Sequence, residues 1–399
     1  MFLQQKVVIK MSSKRYTPLE LMEKLVSFPT VSRDSNLPLI KWVDGYLSDH
    51  DITVHRHYDE TGEKAALFAH VGPDIEGGIV LSGHTDVVPV DGQPWESDPW
   101  IVTHRDDKYY GRGVCDMKGF DALAIWALVE ASHNSLKRPL QLALSYDEEV
   151  GCLGAPPMID RMLQVLPKAS AVIVGEPSSM LTVTAHKGGI GYATHVVGFE
   201  VHSSLLDTGV SAIMSGAKII EWANEMNAAN KSAQPSEIAA MFNPPYTTIH
   251  VGMISGGTAH NITAKDCHFS VDFRVVADES GEDWYEKLMG KVSEVEAGMK
   301  SIHTGAHIKV SPRFFVPALK PEENGQAETI VRQLTGDNGN HVVSYGTEAG
   351  QFQGRGYSAV ICGPGDIAQA HQPNEFIEVV QFDSGHKFMK DLLLRMEQI

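Results

Sequence analysis

The sequence predicts an α/β protein whose doubly wound, largely parallel sheet is interrupted by a smaller, ferredoxin-like α+β domain. Apolar runs such as "GGIVLSG", "LQLALSY" and "ASAVIVG" alternate with helical periodicity, as in sheets covered on both faces. Between residues 188 and 315 the predicted order becomes β-α-β-β-α-β, which is typical of the ferredoxin-like arrangement. The length of 399 residues also exceeds one ordinary core, so we expect at least two domains.

The amino-terminal part combines helix-start signals with apolar strand patterns. "TPLE" forms a capping-box pattern, with Thr17 as N-cap, Pro18 at the first helical position and Glu20 reaching back. "ITVHRHY" and "KAALFAHV" follow two helices and are typical of strands. The helices predicted in this part span about 17–28, 37–48, 118–133 and 155–165. With the apolar runs between them, they predict the first part of the sheet.

The pattern changes after Lys187. "GYATHVVGF" alternates, and a helix of about twenty residues follows from Gly209. "YTTIHVGMI" and "KDCHFSVDFRVV" predict an antiparallel pair, and a helix at 281–299 precedes the strand "HIKVSPRFF". The first pattern then resumes with "ETIVRQLTG", "HVVSYG", "YSAVICGPG" and a helix near 381–397. We therefore expect one discontinuous domain, residues 11–187 and 316–399, around a domain of residues 188–315.

Composition and charge exclude several classes of partner. The formal net charge of −17 argues against nucleic acid or an anionic membrane surface, since both require basic patches. Four cysteines without a C-x-x-C pair indicate reduced thiols. "MFLQQKVVIKMSSKR" lacks the features of a signal peptide, and no run approaches transmembrane length. We expect a cytoplasmic protein, with Met11 as a candidate natural start.

Polar side chains follow the carboxyl ends of the predicted parallel strands, where open α/β sheets bind their ligands. They are His84, Asp86, Asp116, Asp147, Glu148, Glu149, Glu176 and His371. Converging carboxylates repel each other and are costly to desolvate unless a cation neutralises them. Imidazole and carboxylate ligands without thiolate suit zinc, manganese or cobalt. Five candidate ligands exceed the needs of one catalytic zinc and fit two ions sharing a carboxylate.

Two short spacings suggest roles within this group. His84 and Asp86 lie two positions apart, so their side chains point the same way, and a carboxylate there would orient a metal-binding imidazole. Glu148 and Glu149 are neighbours that cannot both face one ion, so one would bind metal while the other acts as general base. Taken alone, the first pair also fits a polar turn, and the acidic stretch also fits a solvated loop.

Seven motifs resemble, in order and spacing, the dinuclear zinc amidohydrolases and exopeptidases of the M20 family. They are "SGHTDVVPV", "GRGVCDMKG", "DEEVGCLGA", "VGEPS", "HSSLLDTGVSAI", "GGTAHNI" and "DFR". Together they are very specific, and the likeness covers nearly the whole chain after about residue 17. It implies that His84 and Glu176 hold one zinc, Glu149 and His371 the other, Asp116 bridges both, Asp86 supports His84, and Glu148 is the general base.

The resemblance also implies that residues 188–315 form a lid and dimerisation domain of a homodimer. His202 of "HSS" would reach the active site of the partner subunit, and Asn261 would bind substrate. Arg274 would hold the α-carboxylate through two parallel hydrogen bonds. Two further residues are weaker candidates for substrate binding: Glu348 facing a cationic side chain, and Gly363 presenting backbone groups. For both, a purely structural role is the alternative.

These roles predict hydrolysis of an unactivated amide. Zinc lowers the pKa of a bound water to about 7, and Glu148 would transfer the remaining proton to the departing amine. "KGGIGYATHVVG", "YGTEAGQF" and "CGPGDIAQAHQPNEF" most resemble family members that deacetylate N-acetyl-L-ornithine in arginine biosynthesis. Other N-acyl amino acids, succinyl-diaminopimelate and dipeptides remain alternative substrates. A two-lobed binding protein and an inactive scaffold are the alternatives outside catalysis.

Overall fold

A computed structural model describes residues 14–398. The predicted start at Met11 lies outside these residues. The α-helices of the described part are α1 (Pro18–Val26), α2 (Leu37–Asp49), α3 (Lys118–Ser132), α4 (Ala155–Val165), α5 (Ala212–Ser232), α6 (Gly281–Ile302), α7 (Gln326–Thr335), α8 (Ala349–Gln353) and α9 (Val379–Gln398). Short 3₁₀ helices lie at Ser203–Thr208, Ala239–Met241 and Ile367–Gln369. The capping box of Thr17 and Glu20 is present at the start of α1, as predicted.

The strands of residues 14–398 form three sheets. They are β1 (Val54–Tyr58), β2 (Ala65–Val71), β3 (Ile79–His84), β4 (Thr103–Arg105), β5 (Lys108–Tyr110), β6 (Leu140–Ser145), β7 (Ala171–Pro177), β8 (Val183–His186), β9 (Gly188–Val197), β10 (Thr248–His250), β11 (Ile254–Gly256), β12 (Asp266–Val275), β13 (His307–Val316), β14 (His341–Val343), β15 (Ser358–Gly363) and β16 (Phe376–Glu378).

The largest sheet has the strand order β1-β2-β6-β3-β7-β15-β8-β14. Its four central strands, β6, β3, β7 and β15, run parallel to one another, and β8 pairs parallel with β14. β1 and β2 pair antiparallel, as do β2 with β6 and β8 with β15. A turn of residues 59–64 joins β1 to β2, and it is too short for the crossover that a parallel pair needs. The predicted α/β class is confirmed, with a sheet that is parallel at its centre and mixed overall.

Both faces of the central strands are covered. On β2, Leu67 belongs to the core that contains α1, α3 and α9, whereas Phe68 belongs to the core that contains α4 and α8. This explains why the strand sequences are apolar throughout rather than alternating. Gly175 lets α3 lie directly on β7, since a Cβ there would be 2.0 Å from the Phe120 ring. This contact fixes α3 against β7 at Gly175, the residue that precedes Glu176.

A second sheet occupies residues 188–316. Its order is β10-β12-β9-β13, with β11 also paired to β12, and all of these pairs are antiparallel. α5 and α6 follow β9 and β12, so the order agrees with the predicted β-α-β-β-α-β except for the additional three-residue strand β11. Phe273 on β12 packs into the core with both helices, whereas Asp272 and Arg274 point to the opposite face. We call the face of the second sheet that carries Asp272 and Arg274 the open face. The exact limits of the two domains stay a prediction.

Several features of the fold have weak sequence signals. A small sheet of order β16-β5-β4 consists of three-residue strands, which are too short to show a periodic pattern.

The four cysteines are all buried and unpaired, as predicted for reduced thiols. Between residues 14 and 398, no helix combines the length and the apolar character needed to cross a bilayer.

Candidate active site

The carboxyl ends of the central strands bring the predicted residues to one edge of the large sheet. β3 ends at His84, opposite Ser145 at the end of β6, and Glu176 lies near the end of β7. The acidic turn with Glu148 and Glu149 continues from β6. Because these strands are parallel neighbours, the residues that follow them face the same crevice.

Asp116, in the loop before α3, lies between two histidines. Its Oδ1 atom is 3.1 Å from His84 Nε2, which is also 3.8 Å from Glu176 Oε1. Its Oδ2 atom is 3.1 Å from His371 Nε2, which is also 3.0 Å from Glu149 Oε2. The five candidate ligands are therefore in one place, with one oxygen of Asp116 facing each histidine.

Burial opposes the negative charge of this cluster. It raises the pKa of Glu148 to about 8 and that of Glu149 to about 7, and it raises the pKa of Glu176 well above its usual value. Burial acts in the same direction on Asp116, but hydrogen bonds with His371 and His84 hold its pKa below the usual range. The carboxylates thus depend on neighbouring positive charge to remain ionised.

The histidines show the complementary effect. Hydrogen bonds with Asp116 and Glu149 raise the pKa of His371 to about 10. Burial lowers the pKa of His84, but its hydrogen bond with Asp116 and the nearby carboxylates outweigh burial and raise that pKa well above its usual value. Each imidazole therefore acts as a counter-charge for the carboxylates around it.

The donor set fits metal ions. Within the described chain, ligand atoms of His84, Asp116 and Glu149 lie within 4.8 Å of one another, as do those of His84, Glu148 and Glu176. Glu149 Oε1 is buried and has no hydrogen-bond partner. A buried carboxylate oxygen without a partner is costly, and a cation would compensate it. Nitrogen and oxygen donors without thiolate match the ligand types predicted from the sequence.

Asp86 supports the cluster differently from the prediction. His84 Nδ1 lies 2.9 Å from the main-chain carbonyl oxygen of Asp86 and 3.6 Å from its carboxylate, so the carbonyl accepts the hydrogen bond. The carboxylate instead accepts hydrogen bonds from the Ser32 hydroxyl at 2.7 Å and the backbone N–H groups of Glu148 and Glu149 at 3.1 and 3.4 Å. Asp86 thus orients the imidazole and fixes the acidic turn.

Glu375 fixes the loop that carries Asp116. Its Oε1 atom accepts hydrogen bonds from the backbone N–H groups of Gly113, Cys115 and Asp116 at 3.0, 3.0 and 3.1 Å. Its Oε2 atom accepts one from Arg112 Nη1 at 2.6 Å, and both side chains are only 1% exposed. The sequence separation of 263 residues gives no local signal for this pair.

A cavity of about 760 Å³ lies over the cluster, with walls from both larger sheets. The predicted substrate residue Arg274 lines it, with Nε 3.2 Å from Asp272. Arg313, Phe314 and Tyr345 also line the cavity, and the sequence did not identify them. Strand alternation could have indicated only one of Arg313 and Phe314, because a register shift between Pro312 and Phe314 lets these two neighbours both line the cavity. Tyr345 lies outside the strands and gave no such signal.

The predicted residues His202 and Asn261 lie away from this cavity. His202 is exposed, with Nδ1 2.8 Å from the Ser204 hydroxyl, and the Asn261 carbonyl accepts a hydrogen bond from the backbone of Ser203. Neither lines the cavity of this chain, and their predicted roles require a second subunit.

Glu348 and Gly363 have structural positions instead of the predicted substrate contacts. Glu348 is 1% exposed and accepts hydrogen bonds from the hydroxyls of Ser145 and Ser82, beneath the site. Burial raises its pKa to about 7. Gly363 packs against β7, where a Cβ would be 1.9 Å from the carbonyl oxygen of Gly175. For both residues these contacts agree with the structural alternative given in the sequence analysis.

Comparisons with known proteins give consistent similarities. The model of peptidase family M20/M25/M40 matches residues 80–395. An acetylornithine deacetylase of Myxococcus xanthus is 33% identical over 366 residues, covering 90% of this chain and 92% of the relative.

Two solved structures share the fold. An M20 family metallo-carboxypeptidase of Sulfolobus solfataricus has a TM-score of 0.78 at 17% identity, covering 96% of this chain and all of the other. A dinuclear metal-binding M20 peptidase of Bacillus subtilis has a TM-score of 0.65 at 13% identity, covering 96% and 98%.

The buried Arg112–Glu375 pair leads to a stability prediction. Glu375→Gln leaves the Arg112 guanidinium buried without its counter-charge, so we expect the free energy of unfolding to fall by about 3–5 kcal/mol. Denaturant unfolding measures the change. The control is Glu96→Gln, which removes an exposed ion pair with Arg105 and should cost at most about 1 kcal/mol. Equal shifts in the two variants would contradict a structural role for Glu375.

Proposed function

The chain belongs to peptidase family M20/M25/M40, and we propose that it removes the acetyl group from N-acetyl-L-ornithine, giving L-ornithine and acetate. The observation that carries the hydrolytic function is Asp116 between His84 and His371, beneath a cavity that Arg274 lines. The proposed substrate rests on the acetylornithine deacetylase name of the Myxococcus xanthus relative. A cytoplasmic location and a role in arginine biosynthesis belong to the same proposal.

The proposed cofactor is two zinc ions per chain, which cobalt or manganese can replace. His84 and Glu176 would hold one ion, Glu149 and His371 the other, and Asp116 would contact both. When bound, such ions polarise a carbonyl group and make water a stronger acid. The unpartnered oxygen of Glu149 and the two faces of Asp116 support this assignment.

Glu148 is the proposed general base. It lines the cavity, and one carboxylate oxygen accepts a hydrogen bond from the Cys152 thiol at 3.2 Å. The backbone N–H of Glu148 is held by Asp86, so the position of the side chain is fixed from two directions. Glu148 would take a proton from the attacking water and deliver it to the amine nitrogen as the amide bond breaks.

Arg274 is the proposed anchor for the α-carboxylate of the substrate. Its guanidinium is held by Asp272 through Nε, which leaves the terminal nitrogens for two parallel hydrogen bonds. Holding that carboxylate would place the acetyl carbonyl near Glu148, which lines the same cavity.

A homodimer formed through the second sheet would complete the site. His202 and Asn261 are exposed in this chain and lie outside its cavity, which is compatible with action on a partner subunit. There they would donate hydrogen bonds to the oxygen that gains negative charge. Losing one such donor commonly costs about 3–4 kcal/mol of transition-state stabilisation.

A second candidate function follows from Arg313. This guanidinium lines the same cavity as Arg274, and it would suit a substrate with a second carboxylate, such as succinyl-diaminopimelate. Dipeptides and other N-acyl amino acids are further candidates, since the structural neighbours include a carboxypeptidase.

Comparison of substrates tests the specific activity. We expect kcat/KM for N-acetyl-L-ornithine to exceed the values for succinyl-diaminopimelate, a dipeptide panel and other N-acetyl amino acids. Steady-state assays with the zinc-loaded enzyme give the ranking, and bound metal is determined on the same samples. A higher value for succinyl-diaminopimelate would replace the first candidate with the second; no turnover of any amide would contradict both.

Glu148→Gln tests the general base. The variant loses the proton acceptor but keeps its shape, so we expect kcat to fall by about 100- to 10,000-fold while the metal content is unchanged. The matched control is Asp147→Asn in the same turn, whose carboxylate pairs with Lys64 at 2.5 Å; it should keep its activity. Loss of one metal ion from Glu148→Gln would identify Glu148 as a ligand instead.

Mixing two inactive variants tests action across subunits. In a heterodimer of His202→Ala and Glu148→Gln chains, one site would combine an intact Glu148 with the partner's intact histidine. We therefore expect deacetylation to reappear after the chains are mixed and reassembled, measured against each variant alone. Failure to regain activity in proven heterodimers would remove the trans role of His202.

A further inference from the structure

The open face of the second sheet carries a cluster outside the candidate active site. His195 on β9 is directly opposite His268 on β12, and their rings stack with centroids 4.0 Å apart and planes inclined by 17°. Asp266 lies two positions from His268 and so shares its face. His195 Nε2 is 2.7 Å from Asp266 Oδ1. Two imidazoles and one carboxylate therefore meet at one point.

This cluster is separate from the candidate active site. His268 and Arg274 are six positions apart on β12, which corresponds to about 20 Å at the rise of an antiparallel strand. His195 and His268 line another groove, with a cavity volume of about 900 Å³. Arg313 lines both this groove and the active-site cavity, so the two depressions are neighbours on one sheet face.

We propose that His195, Asp266 and His268 bind one divalent transition-metal ion of the zinc, nickel or copper class. Imidazole nitrogen favours these ions, whereas calcium and magnesium prefer oxygen ligands. The ligand atoms of the three residues already lie within 4.8 Å of one another. Three protein ligands leave a fourth coordination position, which faces the groove.

The geometry requires small side-chain movements. At normal zinc–ligand distances, tetrahedral coordination places ligand atoms roughly 3.3 Å apart. The His195–Asp266 contact of 2.7 Å would therefore open slightly while His268 moves closer. The side chains of His195 and Asp266 are 35% and 47% exposed, which leaves them room to rotate.

Neighbouring positive charges weaken the site, that of Lys265 next to Asp266 among them, whereas the sheet pairing supports it. Lys309 on β13 is opposite His195, and its ammonium group repels a bound cation. The ligands come from two strands in direct register, so binding does not require the backbone to reorganise. We therefore expect an ion that is lost more readily than those of the buried cluster and that ties β9 to β12.

Zinc counting tests the proposal on the full chain. Three proteins are compared: the parent, a double variant with His195→Gln and His268→Gln, and a control variant. Each is dialysed against the same buffered zinc solution, and the bound zinc per chain is measured by mass spectrometry. The double variant should bind one zinc fewer than the parent. The control is His307→Gln on β13, an exposed histidine outside the cluster, which should bind as much zinc as the parent. The difference is informative whatever number of ions the active site holds.

Thermal unfolding gives a second readout. An ion that binds only the folded state raises the melting temperature as its concentration rises. Starting from protein with its tight sites filled, added zinc should raise the melting temperature of the parent and the control more than that of the double variant. Equal zinc content and equal thermal response in all three proteins would overturn the proposal, leaving the cluster as a surface ion pair with stacked rings.

Discussion

The Asp116 carboxylate, buried between two imidazoles and surrounded by further carboxylates, sets the constraint on which the rest of the structure depends. Negative charges this close raise one another's pKa, and burial adds to that effect. Among residues 14–398, His84 and His371 are the basic side chains that offset it within hydrogen-bond reach of Asp116. An arrangement of this kind persists only if the surrounding fold holds it rigidly and if positive charge is supplied.

The fold supplies that rigidity by several independent routes. Parallel pairing of the central strands fixes His84 and Glu176 relative to each other, because β3 and β7 are hydrogen-bonded neighbours. Glu375 holds the loop of Asp116 through three backbone amides, and Asp86 holds the acidic turn through two. Backbone contacts of this type leave little freedom for the carboxylates to move apart. The mutual repulsion of the carboxylates therefore persists in the folded protein, and a bound cation would relieve it.

The sequence was sufficient for the parts of the site that follow regular elements. His84, Glu149 and Glu176 stand at or just beyond strands whose apolar runs are easily recognised, and the sheet topology then brings them together. Glu375 was not predictable, because its partners lie about 260 residues away and the strand that follows it has only three residues. For Glu348 the sequence left a substrate contact and a structural role both open, for a related reason. A glutamate in a loop gives no indication that serine hydroxyls on two strands will bury it.

The large sheet and the second sheet differ in how many of their faces are buried, and this difference decides where each can expose polar side chains. The central strands are covered on both faces, so they expose reactive groups only at their ends. β12 is covered on one face, so every second side chain is at least partly exposed along its whole length. Asp266, His268, Asp272 and Arg274 occupy those positions. Such residues can change without disturbing a core, which is consistent with the proposal that the first sheet carries the chemistry while the second, with Arg274 and Arg313 on the cavity wall, discriminates between substrates.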